Sequence, residues 1–189
     1  KIKINRSELW YLMTAQDHYV EYYNDLGFSS GVLYQCGAFN YKKFSKESTT
    51  IIQAPKCYIS ENINTYISLI NTSLSDIYHE KAILKCALNN EKYDQIISWT
   101  EEVEPFEAKL LNIREILLKS NVALKELDFS CFYAVSNNVT LLPLVINHNK
   151  ITHTLAVEHS LPPNYYGSNI IGKQRSTVIK NLFSSNIFN

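Results

Sequence analysis

Three histidines stand close together in the last third of the chain, His148, His153 and His159, with Glu158 beside the last. A metal site needs three or four convergent ligands of this kind. Their spacing does not supply it. His148 falls in a turn, and no H-E-x-x-H or paired Cys/His spacing accompanies them, so they read as exposed or singly bonded histidines. The four cysteines, Cys36, Cys57, Cys86 and Cys131, are widely spaced and include no C-x-x-C. A nucleophilic cysteine needs a histidine within reach and a setting that lowers its pKa. Cys131 and Cys36 lie instead within strand patterns, and all four are expected to be buried thiols in a reducing compartment. The stretch "EEVEPFE" (101–107) concentrates carboxylates that could do acid–base work, but broken by Pro105 it reads as a solvated loop. No nucleophile elbow, P-loop or dinucleotide fingerprint occurs. Neither a catalytic residue, a metal nor a cofactor is expected.

The other concentration of interest is aromatic. "WYLMTAQDHYVEYY" carries Trp10, Tyr11, Tyr19, Tyr22 and Tyr23. Trp10, Tyr11, Leu12 and Met13 precede a helix-start pattern, so they belong to a strand or loop. Four consecutive large apolar residues on extended chain cannot share one face. About half must turn away from the local core, and an exposed pair of that size is typically covered by another chain. Tyr22 and Tyr23 repeat the problem. These six residues are the expected partner contact.

Bulk composition narrows the partner. The chain has 189 residues, 18 Lys+Arg and 18 Asp+Glu, a formal net charge of zero. Without a basic stripe it has no footprint for nucleic acid. No apolar run of about 18 residues marks a membrane helix, and the first residues, "KIKINRSELW", lack the apolar stretch of a signal peptide.

The elements that must position these residues are mostly strands. "TAQDHYVEYYNDLGF" is read as a helix, with Thr14 and Asp17 as a capping box and Gly27 at its end. "GVLYQCGAFNY" is a strand with a bulge at Gly37. "TTIIQAPKCYIS" reads as two strands broken by Pro55. "NTYISLINTS" is a strand with Thr65, Ile67 and Leu69 on one face. "LDFSCFYAV" is the clearest strand, with Leu127, Phe129, Cys131, Tyr133 and Val135 together. "VTLLPLVI", whose Pro143 marks it as an edge or bulge, and "ITHTLAVE" complete an expected three-stranded meander. Residues 81–90 and 108–119 fit helix and strand almost equally; locally, Leu110, Ile113 and Leu117 favour a helix in the second. At the end, Ile171, Val178, Ile179, Leu182 and Phe183 fall on one helical face. "LPPNYYGSN" separates this helix from the strands, because Pro162 and Pro163 suit neither a central strand nor a helix interior.

This order of parts resembles the N-terminal region of the TssK family, the baseplate component of type VI secretion systems. The match lies in "LWYLMTAQDHYVEYYNDLGFSSGVLYQCGAFNY", with Trp10, Leu12, Met13, Gln16, His18 and Tyr19, and in "THTLAVEHSLPPNYYGSN" followed by "VIKNLF". The resemblance implies a mainly β chain: an antiparallel β-sandwich over 1–161 with an N-terminal helix, a linker over 162–169 containing Pro162 and Pro163 as a further contact, and the start of a helical stalk over 170–189. It also implies strand for 108–119. It implies a cytoplasmic, non-enzymatic homotrimer that joins a baseplate wedge to a membrane complex, the latter through a C-terminal half beyond this sequence. A second similarity, of "NIREILLKSNVALKELDFSCFYAV" to chorismate-lyase-like folds, would instead imply an enzyme or ligand sensor with Arg114 gripping a carboxylate. The residue-level alternative for Arg114 is an ion pair with a neighbouring glutamate.

Overall fold

A computed structural model describes residues 17–23, 29–35, 50–73, 77–90, 92, 94–124, 127, 129–139, 141–159, 177, 181 and 183–185. Within them the chain is mainly β, as the sequence leads one to expect. The strands are β1 (Asp17–Tyr23), β2 (Ser29–Gln35), β3 (Thr50–Tyr58), β4 (Ile63–Ile70), β5 (Ala82–Asn89), β6 (Gln95–Val103), β7 (Ala108–Asn112), β8 (Phe129–Ser136), β9 (Leu142–Asn149) and β10 (Thr154–His159). One helix, α1 (Ile113–Lys119), follows β7 directly.

The strands form an antiparallel hairpin, β1-β2, and two four-stranded antiparallel sheets. The first sheet has the order β10-β9-β4-β7 and the second β3-β8-β5-β6. The hairpin strand β2 runs close to β10. One buried cluster joins the two four-stranded sheets. Ile67, Leu69, Leu111 and Val145 enter it from the first, and Ile52, Leu84, Leu88 and Phe132 from the second. Val139 and Leu141, fully buried in the same cluster, line the passage from β8 in one sheet to β9 in the other. A core fed by the inner faces of two sheets is in keeping with a sandwich.

The alternation on β4 explains its place. Thr65, Ile67 and Leu69 are fully buried, as a period of two requires of an inward face. Helix α1 closes one end of the core through Ile113 and Leu117. Its start is set by Asn112, whose Oδ1 accepts from the Glu115 amide at 3.3 Å while Nδ2 donates to Glu115 Oε1 at 2.8 Å. Its end is a Schellman turn. The Val122 amide reaches the Leu117 carbonyl, the Asn121 amide reaches that of Leu118, and Asn121 takes φ 56°.

Five expectations need correction. The N-terminal helix is absent at its centre, because Asp17–Tyr23 is strand β1, paired in register with β2 from Asp17↔Gln35 to Tyr23↔Ser29. Valine and tyrosine suit a paired strand better than their helical spacing suggests. The segment 108–119 is neither all strand nor all helix but changes from one to the other at Asn112. The meander is broken: β9 and β10 pair, but β8 pairs with β3 and β5 in the second sheet. Finally, β9 is an interior strand despite Pro143. The pairing with β10 starts only at Leu144↔His159, so the proline lies beyond that ladder while it sits opposite Leu69 of β4. Pro55 likewise does not break β3 in two. It lies inside the register shift between Ala54 and Cys57.

Phe132 is fully buried between the sheets, whereas Leu110 is 57% exposed on β7. Phe132→Ala should therefore cost about 3–5 kcal/mol of stability, and Leu110→Ala less than about 0.5 kcal/mol. Denaturant midpoints of the two variants check this. Equal costs would contradict the assignment of the core.

Candidate functional site

The titratable groups singled out from the sequence do not converge. The His148 and His153 rings lie 6.5 Å apart at the β9–β10 turn. His159 is six residues from His153 and pairs with Leu144, well away from the turn. Among the described residues no group of three His, Cys, Asp or Glu side chains could hold a metal ion. The carboxylates of 101–107 serve the β6–β7 corner. Glu101 pairs with Lys109 and accepts from Trp99 Nε1. Glu102 and Glu104 both hold Lys81, at 3.0 and 2.7 Å, and this grip, Glu104 first, raises the ammonium's pKa. Glu107 Oε2 accepts the Glu104 amide.

The thiols are tuned away from reactivity. Cys57, Cys86 and Cys131 are buried and form no disulfide. Burial pushes Cys57 up to about 12 and Cys86 well above its ordinary value, and raises Cys131. A nucleophile requires the opposite shift. Cys36 lies outside the described residues.

The most concentrated polar cluster is at the start of α1. Asn64, 2% exposed on β4, donates from Nδ2 to Asn112 Oδ1 at 2.9 Å. Its own Oδ1 has no partner, and neither has Arg114 Nε, two residues beyond Asn112. The ion pair considered for Arg114 is not formed among the described residues. Glu115 turns to Asn112 and lies 4.0 Å from Lys119. This cluster can accept and donate hydrogen bonds; its carboxylate, Glu115, is exposed and already engaged by Asn112 Nδ2 and near Lys119.

A different arrangement appears where β6 turns into β7. Each is an edge strand, β6 paired with β5 and β7 with β4. Among the described residues no strand pairs with their outer sides, and at the corner itself the Glu102 and Val103 carbonyls accept from Lys109 Nζ and Asn71 Nδ2. The turn between them is tight, with the Glu107 amide donating to the Glu104 carbonyl at 3.1 Å. Pro105 precedes Phe106, which takes φ 63°. This is the position of a type II turn that favours glycine. A phenylalanine there costs about 1–2 kcal/mol. Its ring is nonetheless 56% exposed, meeting Tyr78 edge-on at 5.8 Å. Ile77, beside Tyr78, is 59% exposed, and Leu110 on β7 also faces out.

Sequence reasoning did not find this corner. It placed the partner contact at Trp10, Tyr11, Leu12, Met13, Pro162 and Pro163, all outside the described residues. Tyr22 and Tyr23 belong to β1, opposite Ser30 and Ser29. Two signals for the corner were present: an aromatic residue after proline inside an acidic turn, and Leu110-Leu111, an adjacent pair of which a strand can bury only one.

No protein-family model matches the chain. No curated protein matches it either. Among solved structures, a protein described as Thermotoga maritima 1070 is similar over 60% of this chain and 92% of its own, with 16% identity and a TM-score of 0.42. That similarity is too low to bear on fold or function.

The thiol shifts give a testable pH dependence. A thiol is neutral when protonated, and in the unfolded chain it ionises near its ordinary value of 9.0. Folding holds Cys57 protonated, so its contribution is complete below pH 9 and is lost as pH rises toward about 12. Each such group lowers stability by about 1.4 kcal/mol per pH unit in that window. Urea unfolding under reducing conditions should show a decline above pH 9 that is shallower in Cys57→Ala by about this amount. An unchanged slope would contradict the burial of this thiol.

Proposed function

We propose that the chain is a non-catalytic structural subunit that binds other protein subunits. The observation that carries this reading is Phe106, an exposed aromatic side chain held in an unfavourable backbone conformation where two open strand edges meet. Local strain at an exposed side chain is a common mark of a functional position, and here the edge-on contact with Tyr78 returns only part of the cost. Aromatic anchors beside unpaired strand edges suit protein docking, in which backbone bonding gives affinity and side chains give selectivity. The raised pKa values of Cys57 and Cys86, which disfavour a thiolate nucleophile at either position, support the non-enzymatic part.

The identity of the assembly rests on the sequence resemblance. On that basis the chain is a cytoplasmic baseplate subunit of a type VI secretion system, a homotrimer linking a wedge to a membrane complex. Trp10, Tyr11, Leu12 and Met13 then provide a second contact. Among the described residues no helix is long and apolar enough to cross a membrane, which suits such a place. A second reading has one observation in its favour. The buried Arg114 Nε, which has no hydrogen-bond partner, suits a small acid in a chorismate-lyase-like domain, and turnover of chorismate would decide for it.

Phe106→Gly separates anchoring from folding. Relief of the backbone cost, about 1–2 kcal/mol, offsets the lost ring contact with Tyr78, about 0.5–1.5 kcal/mol. The isolated variant should keep its stability within about 1 kcal/mol, while binding to the co-purifying subunit weakens by about 2 kcal/mol or more. Pull-down from cells and thermal melting measure the two. Undiminished co-purification would remove the corner as a contact.

A further inference from the structure

The two strand edges at the β6–β7 corner differ in what they leave open. On β6 the corner end is occupied. The Glu102 carbonyl accepts from Lys109 Nζ at 3.1 Å, and the Val103 carbonyl accepts from Asn71 Nδ2 at 3.1 Å. On β7 the backbone bonds can be followed residue by residue. The Asn71 amide donates to the Glu107 carbonyl at 2.9 Å. These two residues continue the register that sets Ile70 opposite Ala108 and Leu69 opposite Lys109. Bonded and non-bonded pairs alternate along an antiparallel ladder. Lys109 and Leu111 therefore direct their amides and carbonyls to β4, and those of Ala108 and Leu110 point away from it. Among the described residues nothing bonds to these outward groups.

The side chains beside this edge divide by chemistry. Leu111 is buried, and Lys109, on the same face, reaches Glu101 and the Glu102 carbonyl of the second sheet. Ala108 and Leu110 lie on the opposite face. Both are exposed, Leu110 at 57%, and Phe106 just before them is 56% exposed. One side of the edge is thus apolar and open. The other is acidic. Glu101 is held by Lys109, Glu102 and Glu104 share Lys81, and Glu107 takes only the Glu104 amide. The carboxylates there outnumber the lysines that meet them. A strand laid along β7 would alternate its side chains between these two sides.

We propose that β7 takes an extended segment of a partner protein as a further strand of the first sheet, a segment that alternates apolar residues, lying on Leu110 and Phe106, with lysine or arginine facing the carboxylates of 101–107. The outward backbone groups of Ala108 and Leu110 hold the segment, and the two rows of side chains select it. This rests on the reading of the corner as a protein contact, and adds which edge is used and by what kind of segment.

The test uses the full chain and a synthetic probe, an acetylated peptide of alternating valine and lysine. Amide hydrogen exchange is followed residue by residue. In the free chain Ala108 and Leu110 should exchange fast, and Lys109 and Leu111 slowly. The valine–lysine peptide should slow Ala108 and Leu110 about tenfold or more, and a valine–glutamate peptide should leave them unchanged. No binding, binding without that protection, or equal protection by both peptides would overturn the proposal. Leu110→Pro removes the outward N–H while leaving the bonds to β4. A folded Leu110→Pro, judged by thermal melting, should lose the co-purifying subunit as Phe106→Gly does. Loss in Phe106→Gly with retention in Leu110→Pro would sink strand addition and leave the corner contact standing. Retention in both would sink the contact itself. If Leu110→Pro fails to fold, protection in the wild type decides.

Discussion

The structure depends on one constraint: two sheets must bury their inner faces in the same cluster. The chain enforces this by crossing repeatedly between them, from β3 to β4, β4 to β5, β6 to β7, β7 to β8 and β8 to β9. Sheets joined once could separate as units. Four of the five crossings put buried residues into the shared space: Ile59 after β3, Tyr78 after β4, Ile113 and Leu117 after β7, and Val139 and Leu141 after β8. The polar groups follow the same demand. Asn71, fully buried between β4 and β5, donates to the Glu80 and Val103 carbonyls and accepts from Tyr78 Oη at 2.7 Å. One asparagine thus ties three segments of chain where no strand ladder reaches them, satisfying groups that would be costly if left unbonded.

That economy leaves little for chemistry and concentrates exposure at the periphery. Thiols fill core space, carboxylates pair with lysines at a corner, and two histidines, His148 and His153, share a turn. What remains available is edge and surface. The β10 side of the first sheet has β2 beside it. At the opposite side, β6 and β7 end their respective sheets together, and the turn joining them displays Phe106. Charge at this corner, Glu102 and Glu104 on Lys81, sits on a strand edge as a guard against indiscriminate pairing.

Thr65, Ile67 and Leu69 fall on one fully buried face, and β4 is where the sequence places it, although Asn64 on the other face is buried too. On β8 both faces are covered, so apolar residues occupy odd and even positions, and the period of two no longer tells inside from outside. The face expected inward, with Cys131 and Val135, is the outer one; Phe132 and Ala134 reach the shared core. The strand-to-helix change at Asn112 was legible in principle, since Asn112 and Glu115 have the spacing of a capping pair. An apolar run continuing through it concealed the signal. The β6–β7 corner could not be found from periodicity, because its distinguishing feature is a backbone angle.

Native-state hydrogen exchange tests the shared core most directly. If one cluster supports both four-stranded sheets, the central strands β4 of the first and β5 and β8 of the second open only with the whole molecule. Their slowest amides should then show a common free energy of exchange, while the outward amides of β6 and β7 exchange far faster. Distinct plateaus for the two sheets would contradict the account, because each sheet would then hold itself together without the other.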